Sequence, residues 1–317
     1  MGQNRPVSRF GRGELYAATA AAGYGSAYVA TAFALRSFEP LPVAVDRSLL
    51  ATIALAVVWI ATRSRAIGPD GDPVAGRPRT LLRAAHLGLI ALFGGPIFLG
   101  AMNLAVAGVG ATIASFVAGL YAVLAAVSAP ALLGERLRPR TLAGFLAALL
   151  GTTLLAELDI GRPSFGGIGW GLVAAVSFAL FLVLSRKWSR PDGFDPIVVA
   201  LANMSAAAIG LGAFVLVVSP DSFLPRVIVP EALVAVAWLA VVAAAGQTLA
   251  VAAVRRLPAS RSSAFLLLNP ITATILSLVL LGQPPTPIQD AGALLVLAGI
   301  AAVTVPFPAR WRWTSAS

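Results

Sequence analysis

The chain's 317 residues are 58% hydrophobic and only 11% charged, against about 25% charged in ordinary soluble domains, which excludes a water-soluble fold. Its net charge of +10 sits in short arginine clusters between apolar stretches, a pattern of membrane-protein loops rather than of a nucleic-acid groove. Cysteine is absent and histidine occurs once, at His86, so disulfides and thiolate metal centres are excluded and little is left for a zinc site or a catalytic triad.

A bilayer core of about 30 Å needs about 20 apolar residues of helix. Ten segments satisfy this in chain order: 15–35, 42–62, 86–106, 109–133, 141–157, 168–185, 196–218, 231–254, 260–281 and 288–305. The first is long, lacks a convincing cleavage site and precedes nine more, so it reads as a span and not as a leader. The stretch 63–85 holds Gly, Pro and both signs of charge and reads as a flexible loop. Spans 4, 8 and 9 are apolar nearly all round, against the amphipathic stripes of a soluble bundle.

Orientation follows from the positive charges. With the N-terminus inside, alternate segments place 19 of the 23 Lys and Arg in the cytoplasm and four, Arg36, Arg47, Arg162 and Arg226, toward the outside. The 13 acids divide 6 to 7, so the bias lies in the cations, as the positive-inside rule requires. Both termini are expected to face the cytoplasm.

The chain also repeats itself. Leu133-Gly134-Glu135 returns 148 residues later as Leu281-Gly282-Gln283, and Gly144 and Gly151 return as Gly292 and Gly299. The first two spans of each half align at an offset of 154, which sets Pro42 on Pro196 and Tyr24 on Phe178. Five spans per half is an odd number, so the second half must cross the membrane upside down. The expected fold is an all-α integral membrane protein of ten transmembrane helices, arranged as two inverted five-helix repeats. Residues 1–14 form a cytoplasmic N-terminal segment and 15–157 the first repeat (spans 1–5). Residues 168–305 form the second repeat (spans 6–10), and 306–317 a cytoplasmic tail.

Several short motifs accompany this architecture: Tyr24-Gly25-Ser26 in span 1, Pro42 followed by Arg47 in span 2, Gly134-Glu135-Arg136 after span 4, and Leu257-Pro258-Ala259-Ser260 leading to Asn269-Pro270 in span 9. Together they resemble the drug/metabolite transporter superfamily in its ten-span EamA-type form, and within it the bacterial amino-acid exporter group, over roughly residues 13–305. Gln283 departs from the usual glutamate and Tyr24 from a common tryptophan. The resemblance implies export or exchange of a small metabolite, with the span 3–4 and 8–9 hairpins moving against the rest. It also implies residence in a bacterial plasma (inner) membrane.

Depth selects the site candidates. The middles of spans 1, 4, 6 and 9 hold Tyr24, Tyr121, Phe178 and Asn269, and the repeat offsets pair Tyr24 with Phe178 and Tyr121 with Asn269. Aromatic walls with a few polar groups suit a small amphiphilic ligand; the alternative is that the tyrosines fill helix–helix gaps. Gln247 joins the set because spans 3 and 8 are gating elements by resemblance, and Trp238 as a lining of the outer vestibule or a lipid-facing residue. Asn203 reads as packing and Asn103 as a cap near the outer end. Pro270 frees the carbonyl near residue 266, and the Asn269 amide can meet either that carbonyl or a substrate. Gly95 and Pro96 in span 3 form a similar break, and with Pro270 they are candidate hinges.

No Asp, Glu, Lys or Arg falls in the central third of any span. Asp46 and Arg47, one turn into span 2, are expected to pair with each other or to snorkel outward. Glu135 is expected to pair with the neighbouring arginines. No metal ligands, cofactor or catalytic group are expected, which speaks against an enzyme. The expected partners are a small-molecule substrate and the bilayer, not nucleic acid, in a monomer or a homodimer. The expected function is export or exchange of neutral or aromatic amino acids by alternating access, without strong proton coupling. Alternatives are export of another amphiphilic metabolite or drug, or a non-transporting channel or scaffold.

Overall fold

The computed structural model describes residues 11–66, 80–134, 139–156, 165–188, 193–225, 227–281 and 286–304. The expected Glu135 ion pair, Gln283 and most of the 63–85 loop lie outside them. The described residues are helical, without strands: α1 (Arg12–Ala34), α2 (Pro40–Ala66), α3 (Thr80–Leu92), a π turn (Phe93–Ile97), α4 (Phe98–Gly119), α5 (Tyr121–Leu133) and α6 (Pro139–Ala156). The second half comprises α7 (Phe165–Trp188), α8 (Pro196–Val218), α9 (Pro230–Arg256), α10 (Ala259–Phe265), α11 (Leu268–Leu281) and α12 (Pro287–Thr304).

These helices make ten crossings. Seven stretches are long and apolar enough to span a bilayer, among them the joined Leu81–Ala111 and Ile113–Leu133, and two shorter apolar helices lie at Pro139–Gly151 and Asp290–Val303. The tenth crossing is the alanine-rich α1, whose 23 residues reach about 34 Å. Spans 3 and 4 follow each other without a loop but turn at Gly110, where φ is +78° and ψ 169°; that backbone is strained for any residue with a Cβ. Gly134 ends span 4 in the left-handed region, its N–H donating to the Pro130 carbonyl at 3.1 Å.

Side-chain size, more than polarity, divides inside from outside. The inner face of α1 presents Ala17, Ala20, Ala21, Gly25 and Ala27, whereas the surface carries Val57, Ile60, Val217 and Val279, all more than half exposed. Such an apolar exterior requires lipid, and small residues inside let backbones approach closely.

The two repeats are intertwined about a pseudo-twofold axis. α1 packs along α9 as α4 packs along α7, and α1 meets α11 as α7 meets α5. α6 and α12, which are counterparts, pack on each other. A methyl on Gly144 would come within 2.8 Å of the Gly299 carbonyl, and one on Gly151 within 2.6 Å of the Gly292 carbonyl. The repeated glycines thus serve a contact within one chain. Inversion makes the two helices antiparallel, so the first glycine of each pair faces the second of the other.

Candidate transport site

The axis passes through a sealed aromatic cluster. Phe178 of α7 is its hub: Tyr24 of α1 meets it edge-on at 5.5 Å between ring centres, Tyr121 of α5 at 4.8 Å and Phe98 of α4 at 4.4 Å. Tyr24 and Phe178 are repeat counterparts, as are Tyr121 and Asn269. Residues can touch their own counterparts only beside the axis that relates them. With the Asn269 amide nitrogen turned toward the carbonyls, it donates to Ala21 at 2.7 Å and Leu266 at 3.1 Å, while its oxygen accepts from the Tyr121 hydroxyl at 2.6 Å. The Leu266 carbonyl is the one that Pro270 leaves without an i+4 amide. In this state, then, Asn269 is occupied with the break in span 9, where α10 gives way to α11.

Tyr28, Met102 and Phe98 complete the wall, and about 10 Å³ remains between the seven side chains, room for about one water. Sequence reasoning passed over those three. Helical spacing was the available signal: Tyr28 lies one turn beyond Tyr24, and Phe98 and Met102 one turn apart beyond Pro96.

Gln247 and Asn203 lie elsewhere, on the span 3 break. The Gln247 amide nitrogen donates to the Gly94 carbonyl at 2.7 Å, and its oxygen accepts from Asn203; Ser177 donates to the Phe93 carbonyl at 2.7 Å. The π turn around Gly95 and Pro96 leaves those carbonyls free, and side chains from two other spans hold them, with Asn203 of a third bracing Gln247. Gly95 packs directly on the Asn203 carbonyl, with no room for a side chain. Asn103 donates to the Pro40 carbonyl at 2.8 Å. Trp238 is half exposed and stands apart from the cluster. Its indole N–H donates to the Ser26 hydroxyl at 2.9 Å across a largely apolar groove of about 520 Å³ between α1, α9 and α11.

Arg47 departs from expectation. It is 2% exposed and neither snorkels nor pairs with Asp46. Adjacent residues on a helix point about 100° apart, so the two could not face one partner. Its Nη2 lies 3.9 Å from the Met102 sulfur, and its Nε has no hydrogen-bond partner.

The two ends of the molecule differ. At the face where α1 begins, Glu14 and Arg261 form an ion pair at 2.9 Å, Arg256 lies 5.1 Å over the Tyr16 ring, and Arg186 donates to the Val254 carbonyl at 2.7 Å. His86 stacks on Trp188 near this face, with ring centres 4.0 Å apart. At the opposite face a polar vestibule of about 800 Å³ is lined by Arg36, Glu39, Asp221 and Ser222.

A lipid-exposed bundle doubled by inversion, with a polar and aromatic cluster on its axis, defines a membrane transporter. The EamA-like transporter family matches twice, over residues 11–156 and 165–305, and the chain belongs to that family. It is 30% identical over 236 residues to an uncharacterized protein of Pseudomonas aeruginosa, covering 73% of this chain and 76% of that one. It also resembles a protein of known crystal structure, with a TM-score of 0.69 and 25% identity over 91% of this chain and 96% of the other.

Proposed function

We propose that the protein exports or exchanges neutral or aromatic amino acids by alternating access, through the cluster of Tyr24, Tyr121, Phe178 and Asn269. The meeting of these repeat counterparts on the pseudo-twofold axis carries the reading. A site on that axis is equally distant from both faces, and rocking one repeat against the other exposes it to each in turn. The present cluster is too tight for a ligand and corresponds to an occluded stage of the cycle. Gly95, Pro96 and Pro270 are the hinges: each break has its freed carbonyls held by side chains, which can let go and re-form.

Both termini face the cytoplasm in this reading, supported by the distribution of Lys and Arg, and the membrane is the bacterial inner one. Among the described residues no carboxylate lines the cluster, which favours movement down a substrate gradient without strong proton coupling. The test is counterflow in proteoliposomes with a panel of labelled amino acids. Uptake of aromatic or large neutral members is expected and should survive collapse of a pH gradient. Exchange of sugars or cationic drugs, with no amino acid carried, would refute the substrate class; loss of uptake with the pH gradient would refute the coupling.

A further inference from the structure

We infer that Arg47, with the Tyr24 hydroxyl, is an anion-recognition subsite that receives the carboxylate of a small apolar or aromatic monocarboxylate. The inference deepens the transport reading and rests on it for the location of the ligand. Arg47 is 2% exposed and, among the described residues, has no hydrogen bond beyond the long contact with the Met102 sulfur. No described carboxylate pairs with it. A guanidinium taken out of water without a counter-ion is among the costliest things a fold can hold, and in a membrane protein such a group marks the path of the substrate.

Its surroundings say what is missing. The Arg47 Nε and the Tyr24 hydroxyl are both buried without a hydrogen-bond partner. Both can donate, and Met102, which Arg47 touches, shares the central space with Tyr24 and Tyr28. One side of the cluster is therefore short of an acceptor and of a negative charge. The Asn269 side, by contrast, is satisfied.

A single cation with one hydroxyl suits a monoanionic carboxylate, which accepts two donors side by side. A phosphate would call for a second cation, and the described cluster has none. Met102 stands between Arg47 and the space, and its unbranched side chain can turn aside without moving a helix. Among the described residues no acid lines the cluster to recognise an ammonium, so the subsite accepts carboxylates with or without an α-amino group.

Purified protein in detergent is melted with phenylalanine, 3-phenylpropionate, 3-phenylpropanamide and phenethylamine. Both carboxylates are expected to raise the melting temperature of the wild type, and the amide and amine to leave it unchanged. Arg47→Gln should abolish the carboxylate shift with its own ligand-free melting preserved. Arg47→Lys should retain part of it, and Tyr24→Phe should weaken carboxylate binding about tenfold. Equal stabilisation by acid and amide, no stabilisation of the wild type by either acid, or an undiminished shift in Arg47→Gln would overturn the subsite. If Arg47→Gln does not fold, the Lys and Tyr24→Phe variants decide by the same comparison. Counterflow of the same ligands reads transport separately: a carboxylate that binds through Arg47 but is not carried refutes amino-acid transport and leaves the subsite standing.

Discussion

Glu14→Gln is expected to loosen the face where α1 begins and to leave the rest of the fold intact. The glutamate caps its own helix, accepting from the Gly11 amide at 3.2 Å, and pairs with Arg261 at 2.9 Å. Glutamine keeps the first interaction, because its amide oxygen can accept the same bond, and removes only the charge from the second. A hydrogen bond between charged groups is worth about 1.5–3 kcal/mol. With side-chain exposures of 31% for Arg261 and 9% for Glu14, water screens part of this, and about 1–2 kcal/mol is the reasonable share. That corresponds to roughly a 5- to 30-fold rise in the population open at this face. Because the chain has no cysteine, a single Ala17→Cys probe needs no background substitutions. Ala17 is buried one turn deeper, packed with Ala253 and Phe265. In the Glu14→Gln background its labelling by a maleimide should accelerate by that factor, while global melting shifts little. Labelling within twofold of the Glu14 parent would show that the pair does not hold this face closed.

Three further outcomes follow from contacts on the axis and at the breaks. Tyr121→Phe removes the hydroxyl that meets Asn269 and should destabilise by only about 1 kcal/mol, yet raise the counterflow KM about tenfold; unchanged KM would detach the cluster from the substrate. Gly151→Val should cost about 3 kcal/mol, near the upper end for overpacking, since its Cβ would lie 2.6 Å from both the Gly292 carbonyl and the Val296 amide. Gly88→Ala, which meets nothing within 4 Å, is the control, and melting in detergent compares the two. Pro96→Ala restores an amide that can bond the Leu92 carbonyl one turn back and so stiffens the break; folded protein with a lower maximal rate and little change in KM is expected in proteoliposomes.

How much of this was legible depended on whether the signal was one-dimensional. Apolar length alone located the crossings, and repeated offsets alone related Tyr24 to Phe178 and Tyr121 to Asn269. Which face of a helix a residue occupies was harder, because spans apolar all round offer no stripe to orient them. Hence Tyr28, Phe98 and Met102 went unnoticed beside the residues that share their wall. Arg47 was misplaced for a different reason. Its neighbour Asp46 supplied a ready partner in sequence, although neighbours on a helix diverge. Asn203 and Gln247 were judged by the span each belongs to, whereas the carbonyls freed at Gly94 and Phe93 set where polar side chains were needed.

The inverted repeat also makes the small departures from symmetry informative. Gly13 lies against Leu257 at one face, where an added Cβ would come within 2.9 Å of its side chain. Their repeat counterparts, Gly167 and Val109, lie against each other at the other face, at 2.7 Å by the same measure. The same glycine-to-aliphatic contact therefore closes both ends, and by itself it favours neither. Glu14 and Arg261 have no such echo: the same offsets land on Ile168 and Ile113. An ion pair at one end against two isoleucines at the other is a bias written onto an otherwise balanced scaffold. Two states related by pseudo-symmetry start near equal energy, so 1–2 kcal/mol is enough to set the resting population at roughly 5:1 to 30:1. Moving the pair, with Glu and Arg at 168 and 113 and Gln at 14 and 261, should therefore reverse which face admits the maleimide. Labelling that stays confined to the same face would mean that the bias resides in the backbone breaks at Pro96 and Pro270 and not in these charges.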